Sequence, residues 1–198
     1  MHEQDFLELI HSLILLQPIL YNDLMGSLFT ILGIILVILV VFFGLFAFTG
    51  APYVPSHKQE IELLFKNLYP LSEKDHVVDL GSGDGVVLKI AAENDAKATG
   101  VELNFLLVLI SRFRLRKYKN TKVVTDNFYH FKFPEDTTIV YLFGIDRDFR
   151  RMEAKIQNEA NRLNKTLYFA SYGFESPTMK PVKNYRAYFL YKVTPIII

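Results

Sequence analysis

The sequence predicts an α/β protein: a doubly wound, mostly parallel sheet preceded by a single N-terminal transmembrane helix. Three observations carry this. A run of 21 residues, Leu28 to Phe48, is apolar without interruption by charge. From His57 onward, short apolar strand patterns alternate with helical ones. Between the first strand and the helix that follows it stands a glycine-rich turn. Strand and helix in alternation imply a parallel sheet with helices on its faces.

The apolar run reads LFTILGIILVILVVFFGLFAF, and no formally charged side chain occurs from Leu24 to Ser56. A spanning helix needs about 20 apolar residues, and Gly33 and Gly44 are tolerated in such helices. A core helix of a small soluble domain is rarely apolar on every face. A cleaved signal peptide has a basic n-region and a short apolar core, whereas the segment here is preceded by acids and is long. We therefore expect an uncleaved anchor over residues 24–50. The N-terminal flank has no Lys or Arg, while Lys58 and Lys66 follow the helix. Lys/Arg bias then places the C-terminal domain on the cytoplasmic, or organelle-matrix, side. Residues 1–23 contain the shorter apolar stretch Phe6 to Leu20, interrupted by Pro18. It is expected to lie in the membrane interface, with a packing or partner-contact role as the alternative. Residues 51–56 form a linker stiffened by Pro52 and Pro55.

Residues 57–198 form the folded domain, a length that suits one compact unit. Ile61, Leu64, Phe65 and Leu68 repeat at helical spacing. Strands are expected at Val77–Leu80, Ala98–Glu102, Lys122–Thr125, Thr138–Phe143, Thr166–Ser171 and Tyr185–Val193. Helices are expected at Val86–Glu93, Phe105–Lys119 and Arg147–Leu163. No helix separates the last two strands, so they should pair antiparallel.

Charge is divided unevenly. Glu3, Asp5, Glu8 and Asp23 are the acids before His57, which leaves 17 acids against 22 bases beyond Ser56, a balance of +5. A mildly basic domain suits an anionic lipid surface and is too weakly basic to indicate nucleic acid. The absence of cysteine excludes disulfides, Cys-ligated zinc and thiol nucleophiles. His2 and His11 have no second ligand at a metal-binding spacing, so no metal is expected.

The stretch Val77-Val78-Asp79-Leu80-Gly81-Ser82-Gly83-Asp84-Gly85 runs from a strand through a glycine turn into a helix. Glycines admit positive φ and close approach of a ligand. A dinucleotide fingerprint, GxGxxG, would place its third glycine at position 86, which is Val86; here it is Gly85. Asp79 stands in the strand before the turn, where it would repel a pyrophosphate. It suits a cationic amine instead, such as that of S-adenosylmethionine. Phosphate binding of the Walker type fails for want of GK[ST]. Glu102 ends the second strand about 20 residues on, where an acid meets ribose hydroxyls. Asp126 ends the third, placed to meet an adenine amino group. The alternative is three solvated strand-end acids beside a structural turn.

These residues resemble the class I S-adenosylmethionine-dependent methyltransferases, with their Rossmann-like seven-strand sheet and antiparallel C-terminal strand. The apolar helix, Pro52-Tyr53-Val54-Pro55, the DLGSGDG turn, Gly100-Val101-Glu102-Leu103-Asn104 and Ser111-Arg112-Phe113-Arg114 look like the membrane-anchored protein-lysine methyltransferases. That family includes mitochondrial enzymes that methylate the adenine nucleotide translocase and the ATP synthase c-subunit. The similarity runs from the apolar helix to about Gly144 and weakens beyond it. It implies S-adenosylmethionine as cofactor, held by Asp79, Gly81, Ser82, Gly83, Gly85, Glu102, Leu103, Asn104, Asp126 and Asn127. Where the family has aromatic and basic residues after the third strand, this chain has Asn127-Phe128-Tyr129. No Arg-rich, Ser-rich transit segment is seen, so a bacterial-type plasma membrane and an organelle membrane both stay open.

Methyl transfer to lysine requires a neutral amine, and a free lysine has a pKa near 10.4. Desolvation or a proton acceptor must lower it. The candidates to surround the amine are Asp126, Tyr129, Tyr53 and Phe143, the aromatic rings favouring an approaching cation. Phe143, Phe128 and Tyr129 read equally as core, and Tyr53 as an interfacial tyrosine. Arg112, Arg114, Arg116, Lys117 and Lys119 form either a solvated helix face or a lipid contact. A membrane-protein substrate with a lysine near the headgroups is the leading expectation. A lipid, quinone or other small membrane molecule, or a non-catalytic nucleotide-binding module, are the alternatives.

Overall fold

The computed structural model describes residues 23–41, 58–143 and 149–196. The chain divides into two compact units, Met1–Pro52 and Tyr53–Ile198. Tyr53, the apolar stretch Phe6–Leu20 and the linker 51–56 lie outside the described residues.

In the first unit α1 spans Asp23–Val41, 19 residues. At 1.5 Å per residue it is about 28 Å long, close to the roughly 30 Å of a bilayer's hydrocarbon core. By length and composition it can cross a membrane. Its apolar side chains, from Leu28 to Val41, face outward. Its two hydroxyls are satisfied within the helix: Ser27 Oγ donates to the Asp23 carbonyl and Thr30 Oγ1 to that of Gly26, both at 2.8 Å. Such back-bonding is how hydroxyls are accommodated without water.

The second unit begins with α2 (Lys58–Asn67) and continues β1 (His76–Leu80), α3 (Val86–Glu93), β2 (Lys97–Glu102), α4 (Phe105–Leu115), β3 (Thr121–Thr125), β4 (Ile139–Phe143), α5 (Phe149–Leu163), β5 (Leu167–Tyr172), β6 (Lys183–Tyr185) and β7 (Tyr188–Val193). The seven strands form one sheet in the order β3-β2-β1-β4-β5-β7-β6. The first five are parallel. β7 lies antiparallel to β5 and to β6. Strand order reverses between β1 and β4, and the crevice at the carboxyl ends there is where ligands bind in such sheets.

Period-two alternation sorts the strand side chains. Val77, Ile139 and Tyr141 face the helices α2, α3 and α4, packing with Ile61, Leu64, Leu88 and Val108. Val78, Leu80, Val140 and Leu142 face α5, packing with Met152, Ile156 and Phe133. The loop after β3 is pinned to α5 by a buried charge network. Glu159 accepts from Lys155 Nζ (2.7 Å), Arg162 (2.6 Å) and the Phe133 N–H (3.1 Å). Lys155 and Arg162 also donate to the Phe131 and Phe133 carbonyls.

Two boundaries differ from expectation by more than a residue. α4 ends at Leu115 rather than Lys119. The chain must turn inward to start β3, and the Tyr118 N–H closes on Leu115 while Asn120 Nδ2 reaches the Ala96 carbonyl at 2.7 Å. The run Tyr185–Val193 is not one strand. Arg186 takes φ 54°, which breaks it into a β6–β7 hairpin and supplies the seventh strand. α5 is described from Phe149, and the expected start at Arg147 lies outside the described residues.

Candidate cofactor and active site

The turn between β1 and α3 requires its glycines. Gly81, Gly83 and Gly85 have φ of 82°, 52° and 81°, values that cost a residue with a Cβ about 1–2 kcal/mol. The N–H groups of Gly81 and Ser82 both donate to the Val101 carbonyl, at 2.8 and 3.1 Å, and fix the turn to β2. Gly85 caps α3, and a Cβ there would collide with Ser111 Oγ of α4. A Cβ at Gly100 would come within 2.6 Å of Ser82 Oγ. The turn is thus clamped between β2 and α4, with no room for a side chain at Gly85 or Gly100, while at Gly81 it is the positive φ alone that calls for glycine.

Three carboxylates stand at the ends of adjacent strands. Asp79, in β1, is 2% exposed and accepts no hydrogen bond among the described residues. Burial, then the charges of Glu102 and Asp84, push its pKa well above the ordinary carboxylate value. Glu102 is held by backbone: Oε2 accepts from the Gly83 N–H (2.9 Å) and Oε1 from the Asn104 N–H (2.8 Å). A carboxylate has about four acceptor sites, so each oxygen can still accept a hydroxyl. Asp126 is exposed, its N–H donating to the Glu102 carbonyl (3.2 Å) and its Oδ1 accepting from the Asn127 N–H (2.7 Å). Asn127 Oδ1 in turn accepts from the Tyr129 N–H at 3.0 Å.

Two expected cofactor residues have local roles. Asn104 caps α4, its Oδ1 accepting from the Leu106 N–H at 3.0 Å. Ser82 Oγ is buried without a hydrogen-bond partner among the described residues. Leu103 projects an exposed apolar side chain beside Glu102.

The residues expected around the amine are divided by the sheet. Phe143 lies on the Asp79 face, in a ring stack with Tyr172 (centroids 5.2 Å apart), and Tyr172 meets Tyr188 (4.7 Å). Tyr129 packs toward the α5 face, with the Arg151 guanidinium 3.8 Å above its ring and Phe128 at 4.6 Å. The structure brings Asp126 and Tyr129 together through Asn127; it does not bring Phe143 to them.

The sequence reading missed Asp84, Gly100, Ser111 and Arg114. Arg114 forms an ion pair with Asp84 at 2.6 Å, tying α4 to the glycine turn. Each stood in a sequence motif without an assigned role: Asp84 as an acid inside the turn, and Gly100, Ser111 and Arg114 in the stretches that carry the family resemblance. A groove of about 460 Å³ near Tyr69, Tyr168, Lys183 and Lys192 lies at the opposite sheet edge, away from all three carboxylates.

This arrangement offers close-approach backbone at a helix N-terminus, one desolvated carboxylate suited to a cation, and a second with free acceptor sites suited to hydroxyls. The fold is similar to that of an RNA methyltransferase from Salinibacter ruber solved with S-adenosyl-L-homocysteine (TM-score 0.62, 20% identity, 73% of this chain and 96% of that one). It is also similar to that of a dimethyladenosine transferase from Plasmodium falciparum (TM-score 0.52, 12% identity, 61% and 43%). The family model of the ANTKMT methyltransferase domain matches residues 79–183, from Asp79 to the start of β6, and the chain belongs to that family. The lysine N-methyltransferases of the ATP synthase c-subunit from Xenopus laevis and Homo sapiens are 33% and 31% identical to it over 111 residues, covering 54% of this chain and 48% and 46% of theirs. A protein-lysine N-methyltransferase of Saccharolobus islandicus is 29% identical over 113 residues, 54% of this chain and 69% of that one. The chain spans about half the length of the first of these relatives.

Proposed function

We propose that this chain is an S-adenosylmethionine-dependent protein-lysine N-methyltransferase. In this reading α1 holds it at a membrane, with the catalytic domain on the cytoplasmic or organelle-matrix side, and it acts on a membrane protein near the bilayer surface. The observation that carries the reading is Asp79: a buried carboxylate without a hydrogen bond among the described residues, beside a turn whose three glycines have positive φ. A buried acid left unpaired is costly, and a cationic amine would relieve it. The residues fit the cofactor. Asp79 would hold its ammonium group, Gly81, Ser82 and Gly83 would let it come close to the backbone of the turn, Glu102 would accept from the ribose, and Leu103, Asp126 and Asn127 would flank the base. When bound, S-adenosylmethionine supplies a methyl group on a positively charged sulfur, open to attack by a neutral amine.

The chain's part is to deliver that amine, aligned and deprotonated. Alignment and exclusion of water supply much of the rate in such displacements. Phe143, on the Asp79 face at the end of β4, offers a ring to the approaching amine and helps desolvate it, which lowers its pKa. Asp126, exposed at the end of β3, is kept for the adenine base, Tyr129 steadies the loop that carries it, and the released proton passes to solvent water.

The membrane part of the reading rests on α1 and on the basic balance of the chain beyond Ser56. The whole is tested by exchanging residues 1–52 for a soluble tag. Methylation of membrane-protein lysines in cells, followed by mass spectrometry, should then disappear while S-adenosylhomocysteine binding persists. Unchanged methylation would refute membrane targeting.

A further inference from the structure

α4 has two contrasting faces. Inward, Val108, Ser111 and Leu115 are buried against α3 and β3. On the opposite face stand Phe105, Leu109, Ile110 and Phe113, which are 58%, 44%, 50% and 69% exposed. An apolar stripe along the solvent side of a helix is the reverse of the usual pattern. The segment that carries it is charged in one sense only. From Leu103 to Thr125 the chain carries six cations, Arg112, Arg114, Arg116, Lys117, Lys119 and Lys122, and no acid. Arg112 is engaged with the Val123 carbonyl (2.8 Å) and Arg114 with Asp84. Arg116 lies over the Phe113 ring at 4.1 Å, joining the stripe to its basic end.

We propose that this face of α4 rests on an anionic bilayer, with Leu109, Ile110 and Phe113 among the acyl chains and Arg116, Lys117 and Lys119 at the headgroups. Apolar side chains bordered by cations are the composition of interfacial helices, and anionic lipid attracts each such cation individually. Charge complementarity selects this occupant, since a purely apolar partner would gain nothing from the cations. Ser111 abuts Gly85 and Arg114 pairs with Asp84 on the same helix, so the contact would also fix how the glycine turn faces the membrane. The proposal rests on the reading of the chain as membrane-bound, not on methyl transfer.

The absence of cysteine makes the test direct. The full chain carrying Ile110→Cys, labelled with an environment-sensitive fluorophore, is reconstituted into phosphatidylcholine vesicles with or without phosphatidylglycerol. Glu135→Cys, on an exposed loop, is the control. S-adenosylhomocysteine binding and alkali-resistant retention are measured on the same samples. With phosphatidylglycerol, the label at 110 should be quenched by brominated acyl chains and shielded from aqueous iodide, and the control should not. Adding Lys117→Gln and Lys119→Gln should lower the docked-to-undocked ratio roughly 30-fold, the loss of two headgroup attractions. A retained chain whose label at 110 stays open to iodide overturns the proposal. So does shielding in lipid-free detergent that grows with protein concentration, which would mark a second copy as the occupant. A chain lost from the vesicles at alkaline pH overturns the anchor and the proposal together. Failure to bind S-adenosylhomocysteine with the label still quenched would strike the methyltransferase reading alone and support this contact.

Discussion

Replacing Asp79 by asparagine should make the ligand-free protein more stable and the cofactor complex weaker. Asp79 is 2% exposed, without a hydrogen bond among the described residues, and raised in pKa by burial and by Glu102 and Asp84. Its folded pKa lies above the unfolded value, so the native state keeps its proton longer. Asp79's own contribution to stability is therefore greatest below the ordinary value of 3.8 and falls as pH rises through the raised folded pKa. Asparagine does not titrate. The stability difference should grow across that window by about 1.4 kcal/mol per pH unit, then level off above it. In a domain of this size that is about 2–4 °C per kcal/mol. Binding should move the other way, because truncating one partner of a buried charge pair costs roughly 2–5 kcal/mol. S-adenosylhomocysteine affinity should drop by about 30-fold or more. Thermal melts of the full chain in detergent over a pH series, with calorimetric titration alongside, read both effects. A variant that melts below wild type at every pH, or binds as tightly, would refute the reasoning.

Gly85→Ala combines a φ of 81° with an overlap on Ser111 Oγ and should destabilise by about 2–4 kcal/mol. Adding Ser111→Ala should recover part of the loss, with a coupling above about 0.5 kcal/mol in denaturant melts. Glu102→Gln keeps an acceptor for the Gly83 or Asn104 N–H, whereas Glu102→Ala keeps none. Both should weaken the cofactor, but only alanine should also loosen the turn, seen as faster amide exchange at Gly83 and Asn104. Asp136 is held at about 2 by Lys97 and His76. Its contribution is present above the ordinary 3.8 and lost as pH falls toward 2. Asp136 is half exposed, so Asp136→Asn should remove only about 1 kcal/mol at neutral pH and flatten the acid limb of the stability curve. Arg114→Ala breaks the ion pair with Asp84 and should change the melting temperature little, within about 1 kcal/mol.

Much of this was legible in the sequence because it rests on local patterns. α3 begins and ends where the spacing places it, at Val86 and Glu93, since Gly85 and Asn94 leave no choice. β1 to β4 were each placed within one residue or so, because buried parallel strands are short apolar runs. The carboxylates at the ends of β1, β2 and β3 followed from those boundaries. What escaped was decided by contacts between distant parts of the chain. The end of α4 depends on Asn120 reaching Ala96. The β6–β7 hairpin depends on a positive φ at Arg186, which arginine does not advertise. Gly100 and Ser111 matter only because the glycine turn is wedged between them. No periodicity could show that Phe143 and Tyr129 fall on opposite faces, since that needs the register of β4 against the loop after β3.

The measurement that tests the central claim most directly is calorimetric titration of the full-length chain in detergent with S-adenosylhomocysteine, with Glu102→Ala in parallel. Binding in the micromolar range that vanishes in the variant is the predicted result. A demonstrably folded chain that takes up no S-adenosylhomocysteine, or a variant that binds it unchanged, would contradict the account.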